Sequence, residues 1–150
     1  MDKNRINNLL SNANKVLNCQ IENEKLGISR ILNNGEIDSA YNGSIASLGV
    51  SVAMSGLLAT LAIYYQEKNN SNSKPKANRR SVLDAIARII TDDKDKKEKE
   101  WDFSKNQEFA KNLFSYAIDN NNQKKLKDLK QEVIDCSIAL KQIVRTYNLV

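Results

Sequence analysis

The chain of 150 residues has no histidine, one proline, five glycines and two cysteines. Each shortage removes a class of answer. Without histidine, the most frequent general acid–base and the most frequent metal ligand are gone. Cys19 and Cys136 belong to no Cys-x-x-Cys pair, so a zinc site lacks its ligands and no metal or cofactor is expected. No GxxxxGK[ST] phosphate loop and no GxSxG elbow is present. Scarce proline and glycine argue against a sheet-rich fold, which needs more turn punctuation. The expectation is an all-α helical bundle without a sheet, in one domain, since a chain of this length is large enough for a genuine core. MDKNRINNLL lacks an apolar run after its charges, so no secretory signal is read there. A cytoplasmic protein follows, with both thiols reduced and packed as small buried hydrophobes.

Charge is missing from one long stretch. Residues 39–66, SAYNGSIASLGVSVAMSGLLATLAIYYQ, hold none, in a chain with 23 basic and 18 acidic residues. A lipid bilayer needs about 20 mainly apolar residues to be crossed, so length permits a span. Val50, Met54, Leu57, Leu58, Leu61 and Tyr65 form one apolar stripe at helical spacing; Ile45, Leu48, Val52, Ala59 and Ile63 form another. A helix apolar on most sides is a core helix or a membrane span. Ser47, Ser51 and Ser55 recur every fourth residue, with Gly49 and Gly56 nearby. Such residues dilute hydrophobicity and let a neighbouring helix come close. A buried core helix is favoured, with a membrane-anchored interaction protein as the alternative. The serine row has no base beside it and reads as packing.

Elsewhere the helices are amphipathic. Ile6, Leu9, Leu10, Ala13, Val16 and Leu17 define one face, and the pattern continues less cleanly through Ile21, Ile28, Ile31 and Leu32 to a stop at NNGE, with Gly35 as a left-handed cap. Ser81 is read as the start of a short helix through Ile90, and Ser104 with Gln107 as a capping box for the next. Leu126, Val133, Leu140 and Tyr147 repeat every seven residues, as do Leu129, Cys136, Ile143 and Val150. Ile134, Ile138 and Val144 widen that face, which suits a bundle helix better than a coiled-coil seam. A homo-oligomeric adaptor built on the heptads is the second alternative. The expected core includes Val52, Leu57, Leu61, Ile86, Leu113, Val133, Leu140 and Ile143.

The positive charge is uneven. Residues 66–90 carry six basic and two acidic groups, residues 91–120 six and eight, and residues 121–150 six and three. Two basic segments around an acidic one suit a negatively charged partner meeting one side of the molecule. Lys74, Lys76, Arg79 and Arg80 gather at a loop-to-helix entry, where free N–H groups favour phosphate. Lys141 and Arg145, four residues apart, share a face of the last helix, which Lys124, Lys125, Lys127 and Lys130 extend. Ordinary solubilising surface is the competing reading of each. Base-stacking aromatics are not evident, so contact with nucleic acid should be to the backbone, without sequence readout. All the carboxylates read as lying among polar neighbours, which leaves no catalytic pair and argues against an enzyme.

Two segments carry a resemblance. YNGSIASLGVSVAMSGLLATLAIYY at 41–65 looks like the hallmark helix of the small all-helical subunit of the type III-B (Cmr-type) CRISPR effector complex, through Tyr41–Gly43 and Ser55–Leu58. VIDCSIALKQIVRTYN at 133–148 resembles that family's closing helix, through Ala139–Lys141 and Arg145–Tyr147. The Arg79–Arg80 entry and Tyr116 fall in the expected order, so the likeness spans roughly 35–150. Ala59 departs from it, standing where many relatives would have a proline that breaks the helix. The resemblance implies a buried helix at 41–65 and a non-catalytic structural subunit. Copies would stack head to tail beside the backbone subunits and reach toward the large subunit, touching guide and target RNA through their backbones. Lys74, Lys76, Arg79, Arg80, Lys141 and Arg145 are the candidate RNA-binding residues.

Overall fold

The structure, a computed structural model, describes residues 3–66, 77–93 and 101–150. Helix α1 (Lys3–Cys19) buries Leu9, Ala13, Val16 and Leu17, the single face that its spacing predicts. The helical continuation through 28–32 does not form. Instead a 3-10 turn at Glu24–Leu26 closes on Gly27 at φ 72°, and two short strands follow. Strands β1 (Leu32–Asn33) and β2 (Glu36–Ile37) pair antiparallel. Asn34 and Gly35 join them with φ of 52° and 76°, positive at both central positions, as a tight hairpin's twist requires. Gly35 is thus a hairpin residue and not a helix cap. A third strand, β3 (Asn148–Leu149), runs parallel to β2. The expectation of no sheet is corrected by these three two-residue strands, although the architecture remains all-α.

The uncharged segment is two helices. Helix α2 (Ser39–Ser55) and helix α3 (Leu57–Tyr65) meet at Gly56, where φ 96° and ψ 161° suit only glycine. The break falls there and not at Ala59. The segment is also only half buried. Tyr41, Ile45, Leu48 and Val52 of α2 and Leu57, Leu61 and Tyr64 of α3 face the core, while Val50, Met54, Leu58 and Ile63 are exposed.

The helix surrounded on most sides is helix α4 (Arg79–Asp92), which packs against α1, α2, α3, helix α5 (Phe109–Asp119) and helix α6 (Gln123–Val144). It begins at Arg79 with Asn78 as its cap, not at Ser81, whose hydroxyl is buried and accepts from Ser29 N at 2.8 Å. The capping box at Ser104 does not form either. Its hydroxyl turns to Asp102, and α5 starts only at Phe109. On α6, Leu129, Val133, Cys136 and Leu140 are all buried inside the bundle, so the middle of the heptad seam is a core face, while Leu126 and Tyr147 are partly buried and Val150 is exposed. Ile143 is only partly buried, and Cys19 is exposed while Cys136 is buried.

Three buried carboxylates correct the reading of uniformly polar surroundings. Arg5 of α1 bridges Asp93, at the end of α4, and Glu132 in α6. Asp84 accepts from Gln20 Nε2 and Arg88 Nε, each at 2.9 Å. Gln20 also donates to Ser81 O at 3.0 Å and accepts from Ile31 N at 3.1 Å, stitching the hairpin to α4. Buried charge is tolerated only when paired in this way. These are internal braces, and only a void of about 10 Å³ adjoins Asp84.

Candidate nucleic-acid interface

Helix α2 organises the surface on which the candidate cations lie. Asp38 caps it, accepting from Ala40 N at 2.9 Å, and Ser39 N donates to Val150 O at 2.9 Å. Its first donors are therefore satisfied internally. One flank of α2 lies on α6. A Cβ at Gly49 would meet Ser137 Oγ at 2.7 Å, so glycine is what lets the two helices approach there. Four residues beyond Lys141 on α6, Arg145 Nε donates to Asn42 Oδ1 at 3.3 Å. The other flank lies on α3, where Ser51 and Thr60 hydroxyls bond at 2.9 Å and Tyr64 Oη donates to Ser44 O at 2.7 Å. Arg79, from the start of α4, sets its guanidinium 5.2 Å from the Tyr64 ring centroid. Burial chiefly raises the Tyr64 hydroxyl above the ordinary pKa of 10.0, opposed by the Ser44 bond and the nearby Arg79 charge. The phenol stays neutral and serves as a platform for the cation.

The candidate residues therefore separate. Arg79 and Arg145 lie on opposite flanks of the first turns of α2, with Lys141 one turn before Arg145 on α6. Among the described residues no ion pair engages any of these three. Arg80 is placed differently. Its Nε donates to Tyr65 O at 2.7 Å, its Nη1 to Leu26 O at 3.1 Å, and its guanidinium stacks 4.2 Å from the Tyr65 ring centroid. It braces the start of α4 against the end of α3 and the 24–27 turn. At the helix entry itself, Asn78 Oδ1 accepts from Ser81 N at 3.2 Å, using a donor that an anion would need. Lys74 and Lys76, like the charged segment 94–100, lie outside the described residues. Lys124 sits 17 residues before Lys141 on one helix, roughly 25 Å away at 1.5 Å per residue.

Sequence reasoning missed Tyr64 and Asn42, which position two of the cations. Tyr64 falls on neither apolar stripe, so nothing in the sequence sets it apart from Tyr65 beside it. Asn42 belongs to the Tyr-Asn-Gly run but carries no chemical signal by itself.

The model of the family described as CRISPR-associated protein (Cas_Cmr5) matches residues 9–147. The chain belongs to this CRISPR-associated Cmr subunit family. No curated protein and no solved structure matches it. The family match takes in α1 from Leu9 onward, which the resemblance read from residues 35–150 did not reach. As a Cmr5-family member the chain is a subunit of a CRISPR Cmr complex, associated with other subunits of that complex. Among the described residues no helix is long and apolar enough to cross a membrane, which removes support from the anchor reading. No cluster of potential metal ligands occurs among them either.

Proposed function

We propose that this Cmr5-family chain is the non-catalytic structural small subunit of a type III-B RNA-guided interference complex in the cytoplasm. The 150 residues act as one helical domain that stacks with copies of itself in a short filament beside the backbone subunits and reaches the large subunit. It contacts the sugar–phosphate backbone of guide and target RNA without reading sequence. Arg79, Lys141 and Arg145 carry the contact, with Lys74 and Lys76 retained from the sequence. Arg80 is left out because its guanidinium is engaged by two backbone carbonyls. The carrying observation is the placement of Arg79 and Arg145, each held by an uncharged neighbour, on the two sides of one uncharged helix.

Phosphate binding by such cations releases counterions, so affinity should fall steeply with salt and hardly vary with sequence. Stacked copies tethered along one guide gain from effective concentration, so each protein contact can be weak. The test is a complex reconstituted with and without this chain. Omission should weaken assembly or target binding while the cleavage chemistry of the other subunits survives at saturating target. Abolished cleavage despite intact assembly and full occupancy would give this chain a catalytic role and defeat the proposal.

A further inference from the structure

Asparagine precedes two of the five glycines, at Asn34–Gly35 and Asn42–Gly43. That dipeptide is chemically reactive. Asparagine is a thermolabile residue, and a following glycine, having no Cβ, leaves its backbone nitrogen open to the asparagine carboxamide. The fold treats the two pairs in opposite ways.

Asn42–Gly43 lies at the start of α2. Gly43 is the fifth residue of that helix, so its N–H is the first to be held by an intrahelical bond. Asn42 Oδ1 accepts from Arg145 Nε at 3.3 Å, which fixes the carboxamide as well. Attack at this pair first requires α2 to unwind where Asp38 caps it. Asn34–Gly35, in contrast, forms the tight turn between β1 and β2, and both residues are exposed. Among the described residues no hydrogen bond engages the Asn34 carboxamide. A Cβ added at Gly35 would find nothing within 4 Å, so nothing screens the pair. Ring closure rotates Asn34 about its Cα–C bond, out of the turn conformation. With strands of only two residues on either side, that is a small local opening.

We propose that Asn34 is a site of spontaneous deamidation and that the fold protects Asn42 from the same reaction. The Gly35 nitrogen bonds to Asn34 Cγ and the Cγ–Nδ2 bond breaks. Ammonia leaves with the proton that Gly35 gives up. Water then opens the cyclic imide at either carbonyl, giving aspartate or isoaspartate, each with one new negative charge. The only co-reactant is water, and the inference is independent of the function proposed above.

The two products differ in consequence. Aspartate enters the left-handed region much as asparagine does, so it keeps the hairpin. Isoaspartate routes the main chain through Cβ and Cγ, and the lengthened turn no longer sets the register of β1 and β2. Strand β2 in turn holds β3. Val150 N donates to Ile37 O at 2.9 Å, Ser39 N to Val150 O at 2.9 Å, and Asn148 Nδ2 to Glu36 Oε2 at 3.2 Å. Isoaspartate at position 34 therefore loosens residues 148–150 while the helical core stays packed.

The experiment incubates the full parent chain at mildly alkaline pH, once native and once in urea. Peptide mass spectrometry with isoaspartate-specific methylation then follows both asparagines. In the native chain Asn34 should convert roughly tenfold faster than Asn42 or more, since Asn42 reacts only through local unfolding. Urea should bring the two rates together. The isoaspartate fraction should exchange its Val150 and Ser39 amide hydrogens faster than the parent, with the amides of α6 unchanged. An Asn34→Asp chain, which carries the charge without the lengthened backbone, should exchange like the parent. Equal rates at the two asparagines in the native chain overturn the proposal, as does an Asn34 that reacts only in urea. Parent-like exchange of Val150 and Ser39 in the isoaspartate fraction overturns the loosening of β3.

Discussion

Replacing Arg80 by alanine should damage the fold, whereas the same change at Arg79 should not, although the two are adjacent and chemically identical. Arg80 donates to two backbone carbonyls, at 2.7 and 3.1 Å, and stacks on Tyr65, which itself stacks on Phe114 with centroids 5.0 Å apart. Hydrogen bonds from a charged donor contribute about 1.5–3 kcal/mol each when well formed. Allowing for the partial exposure of this side chain, Arg80→Ala should lose about 2–4 kcal/mol in all. Arg79 is exposed, and its only described partner is the Tyr64 ring. That contact is worth about 0.5–1 kcal/mol at an exposed site. Urea unfolding of the two variants beside the parent, with the dependence on denaturant unchanged, reads both quantities. Equal losses, or a loss under about 1 kcal/mol for Arg80→Ala, would refute the division of this pair into a brace and a surface cation.

Other perturbations address the interior. Leu61 is fully buried, and Leu61→Ala should cost about 2–5 kcal/mol by opening a cavity between α3 and the core, measured by the same unfolding assay. Arg5→Met removes the cation shared by buried Asp93 and Glu132 and should cost about 3–5 kcal/mol, with α1 the first element to lose hydrogen-exchange protection. Burial, offset in part by Gln20 and Arg88, raises the Asp84 carboxyl above its ordinary 3.8. A raised folded pKa in an acid means stability that is full below the unfolded value and lost as pH rises through the folded one. Asp84→Asn should therefore flatten the decline of melting temperature above about pH 4, and an unaltered slope would contradict this.

The amphipathic helices were legible because one face of each meets the core: Leu9, Ala13, Val16 and Leu17 on α1, and Leu129, Val133, Cys136 and Leu140 on α6, appear at their expected spacing. The hairpin was not, because Ile28, Ile31 and Leu32 mimic a helical step of three and four. Its turn chemistry, Asn34–Gly35, was the better signal and outweighed periodicity. The uncharged segment misled for a related reason. With apolar residues on every side, its pattern does not say which stripe faces inward, and the left-handed backbone at Gly56 reset the phase between its halves. Buried Asp84 and Glu132 were invisible because their partners Gln20 and Arg5 lie 64 and 127 positions away in sequence. The candidate site was legible in kind and not in membership. Basic residues at the start of α4 and the end of α6 do flank one helix, but nothing local distinguishes Arg79 from Arg80.

The most direct measurement is the salt dependence of target-RNA binding by the reconstituted Cmr complex, with either the parent chain or one carrying Arg79→Ala, Lys141→Ala and Arg145→Ala. Each phosphate contact contributes about 0.7–0.9 to the slope of log affinity against log salt. Loss of three contacts per copy should flatten that slope by roughly 2–3 for each engaged copy, equally for unrelated guide–target pairs, with assembly intact. An unchanged slope and affinity in a fully assembled complex would contradict the claim that this subunit holds RNA by its phosphates.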